Sequence, residues 1–173
     1  RWLLAGVGQW QRICRDINAL PLGDKMIITC VFDYLHHSQL CAQTRWTYTI
    51  ANDGNFTLKV EVHLSEALPP LPRIGLSLGL PKNTVSNVKW LGLGPFENYP
   101  DRKAAARFGA YDMPIEALHT PYIFPSDNGL RSDCTELEIG KIVVGGEFLF
   151  SASRYSQTQL AQAKHTNELI TDE

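Results

Sequence analysis

Apolar and polar residues alternate with period two along most of this chain, the signature of half-buried β-strands. Met26 to His36 puts Ile28, Cys30, Phe32 and Tyr34 on one face. Trp46, Tyr48 and Ile50 alternate with Thr47 and Thr49, and Phe56, Leu58, Val60, Val62 and Leu64 alternate with polar residues. Between these two runs lies Asn52-Asp53-Gly54-Asn55, and Asp-Gly between alternating runs predicts a hairpin, because glycine tolerates the positive φ of the turn. A short helix over Arg1–Ala5 and a mixed strand over Gln11–Leu20 precede them. Ala67–Pro72, with three prolines, is a connector, since proline cannot donate to a strand ladder. Further strands are expected at Arg73–Leu80, Val85–Leu93, Ala104–Met113, Cys134–Ile139 and Gly146–Ser153. Ser156 is placed to cap a short helix, Gln157 to Lys164, anchored by Leu160. About nine strands with few helices predict an all-β fold, a large antiparallel sandwich with a barrel as the alternative. There is no internal repeat and no low-complexity segment.

Composition narrows this without changing it. The 173 residues, 44% hydrophobic and 20% charged, fit one soluble globular domain with a hydrophobic core. A net charge of −2 with no basic run argues against a nucleic-acid partner. No apolar run approaches the roughly 20 residues that span a bilayer, so no membrane partner is expected. The four cysteines, Cys14, Cys30, Cys41 and Cys134, form no C-x-x-C pair and read as reduced thiols, pointing to a cytoplasmic location. The start at Arg1, without methionine or signal peptide, suggests a piece of a longer polypeptide.

Two motifs carry candidate chemistry. In Trp90-Leu91-Gly92-Leu93-Gly94-Pro95-Phe96-Glu97-Asn98-Tyr99-Pro100-Asp101-Arg102 a strand runs into a proline-bracketed loop. Gly92 and Gly94 permit close backbone approach. Glu97, Asn98, Asp101 and Arg102 could bind sugar hydroxyls, with Trp90 or Tyr99 as a stacking ring. Equally, Glu97, Asp101 and Arg102 could form an internal network that fixes the loop. Thr120–Arg131 again joins paired prolines, aromatics, a carboxylate, an amide and an arginine. Here Asp127, Asn128 and Arg131 are candidates for sugar contact or for loop scaffolding, and Asp127 is near enough in sequence to pair with Arg131.

Other chemistry is weaker. Glu97 with Asp127 as a glycosidase pair would need about 5 Å between carboxylates and pKa values driven apart. His36 and His37, adjacent on a strand, should point to opposite faces and so not share a metal. His63, His119 and His165 are isolated. No nucleophile elbow, phosphate loop or dinucleotide fingerprint is present. Asn55-Phe56-Thr57 matches a glycosylation sequon at a hairpin, and Asp133, Glu136 and Glu138 read as a solvated strand face.

The two motifs, with Leu71-Pro72-Arg73-Ile74-Gly75-Leu76 and Phe148–Gln157, give the chain a clear likeness. It resembles the C-terminal domain of the lactose-operon-type β-galactosidases of glycoside hydrolase family 2, with the likeness before Ala67 resting on pattern. The resemblance implies a galactose-mutarotase-like supersandwich of antiparallel strands. It assigns both catalytic glutamates and the active-site magnesium to a barrel domain elsewhere in the parent polypeptide, so no catalytic or metal residue and no cofactor is assigned to this chain. The family's loop that lends an aromatic residue to the sugar pocket lies beyond Glu173. The implied partners are that barrel domain and, through it, a β-galactoside. The chain departs from the family at Asp127, where glutamate is usual, at Phe96, where a polar residue is common, and in the absence of the last strands. The sandwich should therefore be incomplete, with an uncovered edge or apolar patch that favours a homo-oligomer. A stand-alone carbohydrate-binding module is the alternative reading, and a mutarotase-like epimerase rests on fold analogy alone.

Overall fold

The computed structural model of the protein describes residues 1–123 and 127–170. Among the described residues eight strands form two four-stranded antiparallel sheets, with one short α-helix, the all-β antiparallel class that the alternation predicts. The chain divides into two compact units, Arg1–Leu76 and Ser77–Glu173.

The first unit is a meander of β1 (Gln11–Leu22), β2 (Lys25–His36), β3 (Gln39–Ala51) and β4 (Phe56–Leu64), in that spatial order. Residues directly opposite each other in an antiparallel ladder share a face. The register therefore stacks Met26, Ile50 and Phe56 in one row, Ile28, Tyr48 and Leu58 in the next, then Cys30, Trp46 and Val60. The other face carries rows such as Thr29, Thr47 and Lys59, or Asp33, Gln43 and His63. The expected β3–β4 hairpin forms: Gly54 has φ 84°, and the Asp53 carboxylate accepts the Asn55 backbone N–H at 3.0 Å.

The second unit has the order β6-β5-β7-β8, built from β5 (Asn87–Gly94), β6 (Arg107–Pro114), β7 (Arg131–Ile139) and β8 (Ile142–Phe150). One face of this sheet makes the core, where Val88, Trp90, Cys134, Leu137 and Phe150 pack with Ile115 and Leu118 of a 3₁₀ turn. Trp90 stacks on Tyr111 at 5.0 Å and meets Phe150 edge-on at 5.7 Å. Gly92 is required here, because a Cβ would lie 2.6 Å from Cys134 Sγ and 2.8 Å from its Cα. The helix α1 (Gln157–Gln162) begins on a capping box, in which Ser156 Oγ accepts the Gln159 N–H and Gln159 Oε1 accepts the Ser156 N–H. Leu160 is its buried anchor.

Three expected elements differ. Arg73–Leu80 forms no ladder; two glycines and the preceding prolines weaken its strand preference, and its apolar residues Ile74, Leu76 and Leu78 are exposed. Arg1–Ala5 makes turns rather than a helix, since Gly6 and Gly8 adopt φ 67° and 93° and stop propagation within one turn. The helix after Ser156 ends at Gln162, where Ala163 turns extended.

Candidate functional site

β5 and β7 are antiparallel neighbours, so the loop leaving β5 at Gly94 emerges beside the loop that enters β7 at Arg131. The two motifs singled out in the sequence therefore meet, and Glu97 is where they join. Its side chain is only 6% exposed. The Tyr122 hydroxyl donates to Oε1 and Oε2, each at 2.8 Å. The Gly129 backbone N–H donates to Oε2 at 3.0 Å and the Tyr99 hydroxyl at 3.2 Å. Arg102 pairs with Oε1 from the solvent side and lies over the Tyr99 ring at 5.2 Å. Burial pushes the Glu97 carboxyl pKa up, but the Gly129, Tyr122, Arg102 and Thr120 donors together hold it below the usual value of 4.5. Tyr99 and Tyr122 are pushed up by burial and stay protonated; both hydroxyls also reach the Asp127 carbonyl, and they lie 3.4 Å from each other.

Two buried amides fix the loops from within. Asn98, 1% exposed, donates from Nδ2 to the carbonyls of Leu93 and Phe96. Its Oδ1 accepts from Ser132, from the N–H at 2.9 Å and from the hydroxyl at 2.5 Å. Asn128 closes the second loop on itself, with Nδ2 donating to the Thr120 carbonyl at 2.6 Å and Oδ1 accepting the Thr120 N–H at 3.0 Å.

Arg131 is 2% exposed, and its guanidinium donates to the carbonyls of Leu118, Gly129 and Pro95 at 3.0, 2.7 and 2.9 Å. It lies over the Trp90 ring at 5.6 Å. A planar fork suits three carbonyls arriving from different segments, and the ring offsets part of the charge burial.

Seven of the nine residues named from the sequence thus come together: Glu97, Asn98, Tyr99, Arg102, Asn128 and Arg131, with Trp90 beneath Arg131. Asp127 enters through its backbone carbonyl. Asp101 is exposed and, among the described residues, takes no part in the network. Phe124, Pro125 and Ser126 of the second motif lie outside the described residues. Sequence reasoning missed Tyr122, Gly129 and Ser132 as partners; no spacing rule links them to Glu97 or Asn98 across 25 to 34 residues.

A cavity of about 490 Å³ opens beside the cluster, walled by Phe96, Ala106, Met113, His119, Thr120 and Pro121 among others. His119 stands edge-on to Tyr155 at 5.1 Å, and burial lowers its pKa below 6.5 although the Asn128 side chain and the nearby Glu97 charge favour the protonated ring.

The histidine pair is a correction. His36 and His37 do not diverge: their rings are 4.1 Å apart, because His37 and Ser38 turn with φ 48° and 66° and end the strand between them. Among the described residues no three His, Cys, Asp or Glu side chains converge on one point. No helix among them is long and apolar enough to cross a membrane.

Fold and cluster together define an all-β module whose two functional-looking loops are stapled to each other by their own polar groups. Comparison with known proteins makes this specific. The model of the family described as "Beta galactosidase small chain" matches residues 1–173, and the chain belongs to that family. It is similar to the β-galactosidase of Pseudoalteromonas haloplanktis, with 58% identity over 173 residues. The β-galactosidases of Photobacterium profundum and Vibrio vulnificus are 50% and 48% identical over 174 residues. In all three the whole chain is covered, and it spans 17% of the relative's length.

Proposed function

We propose that this chain is a non-catalytic flank of a β-galactosidase, supporting hydrolysis of terminal β-D-galactosides performed by the rest of a longer polypeptide. The observation that carries the reading is the closed bonding of Glu97. A nucleophile or acid/base needs an oxygen lone pair directed at substrate and a second carboxylate within about 5–10 Å across a cleft. Glu97 spends both oxygens on donors of its own chain, and its lowered pKa is the wrong direction for a general acid. The cluster's role is to hold the loops at the end of β5 and the start of β7 in one geometry. Family membership and the 17% share of the relatives support placing both catalytic glutamates and the magnesium in the remainder, within glycoside hydrolase family 2. The four unpaired cysteines favour a reducing, cytoplasmic compartment.

The reading is tested by assaying the 173-residue chain on a chromogenic β-galactoside. No turnover is expected; turnover abolished by Glu97→Gln would refute it.

The cavity beside exposed Phe96 favours a second reading, a carbohydrate-binding module with Phe96 as the stacking ring. Titration with galactose or lactose, followed by tryptophan fluorescence and NMR shifts, separates the two: saturation at millimolar concentration or below supports the module, and flat titrations leave the scaffold.

A further inference from the structure

Asn128-Gly129 is the only Asn-Gly pair among the 173 residues. In water this is the least durable setting for an asparagine, because glycine has no Cβ to hinder attack of its own amide nitrogen on the preceding side chain. The fold nevertheless requires it. Gly129 has φ 70°, and a Cβ there would lie 2.8 Å from the Leu118 carbonyl oxygen, so a side chain does not fit after Asn128. Both groups that would react are held. Asn128 is 6% exposed, with Nδ2 donating to the Thr120 carbonyl and Oδ1 accepting the Thr120 N–H. The Gly129 N–H donates to Glu97 Oε2 at 3.0 Å, and the Gly129 carbonyl accepts from Arg131 at 2.7 Å. Glu97, held below its usual 4.5, acts there as an acceptor and is too weak a base to take the proton.

We propose that Asn128 is a latent deamidation site, kept closed by the Glu97 cluster and released when the cluster opens. On opening, the Gly129 amide loses its proton to solvent hydroxide, and its nitrogen bonds to Asn128 Cγ. The Cγ–Nδ2 bond breaks, and Nδ2 takes a proton from water and leaves as ammonia. Water then opens the succinimide at either carbonyl, giving aspartate or isoaspartate, so the net change consumes a water and releases an ammonia. Neither product can rebuild the loop. A carboxylate has no donor for the Thr120 carbonyl, and isoaspartate adds a carbon to the backbone. A chain that stays open is thereby converted, one way, into a chain that cannot close again. Local opening sets the rate, so the stability of the cluster sets the lifetime of the asparagine. The site stands whether or not the chain is a non-catalytic flank.

The test follows residue 128 in a chimera in which this chain replaces the matching region of the Pseudoalteromonas haloplanktis β-galactosidase. The native chimera, the chimera unfolded in guanidinium chloride and the native Glu97→Gln variant are incubated at pH 8, then cut after glutamate in mildly acidic buffer. Peptide 117–136 reports conversion of Asn128 by mass, and isoaspartate by enzymatic methylation. Asn128 should convert at least tenfold faster unfolded than native, and Glu97→Gln should raise the native rate at least threefold. A short pulse of iodoacetamide reads Cys134 in the same peptide. Its full burial in the sheet core means that it stays unmodified while only the loops open. Equal rates in the native and unfolded wild type would overturn the proposal, and so would a folded Glu97→Gln variant no faster than wild type. If Glu97→Gln exposes Cys134, the sheet itself has opened, and Tyr122→Phe replaces it under the same criteria, since it keeps the carboxylate and removes the hydroxyl that bridges both oxygens.

Discussion

The Tyr122 hydroxyl sits 2.8 Å from both carboxylate oxygens of Glu97, a residue 25 positions earlier in the chain. One side chain thereby ties the segment that ends β5 to the segment that begins β7. The bond is made where water is nearly excluded, so breaking it leaves charged or polar groups buried without partners. Glu97→Ala should destabilise the fold by about 3–5 kcal/mol. Glu97→Gln keeps an acceptor and should cost about 1–3 kcal/mol. Urea unfolding at pH 7 checks the order; equal losses would mean that the negative charge, and not the acceptor geometry, holds the loops.

Acid should weaken the same cluster in two stages. His119 is held below its usual 6.5 by burial, so the unfolded chain binds that proton first and stability falls as pH drops through and below 6.5. Glu97 is held below its usual 4.5, so its contribution is complete above that value and is lost as pH falls through the lowered pKa. Both slopes have the same sign, because in each window the unfolded state carries more protons. His119→Gln should flatten the first stage and leave the second. Melting temperature measured from pH 7.5 to 3.5 reads both.

Arg131→Lys should be costly although it keeps the charge. An ammonium cannot reach the carbonyls of Leu118, Gly129 and Pro95 with the planar fork, nor stack on Trp90. A loss of about 2–4 kcal/mol is expected, comparable with breaking other buried charged networks. A value near zero in thermal or urea unfolding would show that the carbonyls are satisfied in another way.

The thiols should separate by reactivity. Cys134 is fully buried, and burial pushes its pKa up to about 11, while Cys14 is exposed on β1. Iodoacetamide at pH 8 should therefore alkylate Cys14 in the native protein and reach Cys134 only after unfolding, as peptide mass mapping would reveal.

Much of this fold is legible wherever local chemistry and tertiary packing agree. The alternation from Trp46 to Leu64, the Asp53-Gly54 turn, the close approach at Gly92 and the Ser156 cap each follow from a rule about a few neighbouring residues. Arg73–Leu80 reads as a strand because of Ile74, Leu76 and Leu78, yet a strand needs a ladder partner, which no local pattern supplies. The histidine pair escapes the strand rule because His37 and Ser38 adopt positive φ without being glycine or asparagine. In the cluster the residue types are legible but not their pairing. Glu97 finds Tyr122 and Gly129, and Asn98 finds Ser132, only because β5 and β7 are sheet neighbours. Asp101, equally polar and equally close in sequence, is left on the surface by the same geometry.

Whether Glu97 is a staple or takes part in catalysis is decided most directly in the Pseudoalteromonas haloplanktis chimera. Melting temperature and kcat on a chromogenic β-galactoside are measured for the chimera and its Glu97→Gln variant. The account predicts a lower melting temperature with kcat within about threefold, because the chemistry is done by the remainder. A kcat reduced by about a thousandfold or more, at an unchanged melting temperature, is the scale expected for loss of a reacting carboxylate and would contradict it.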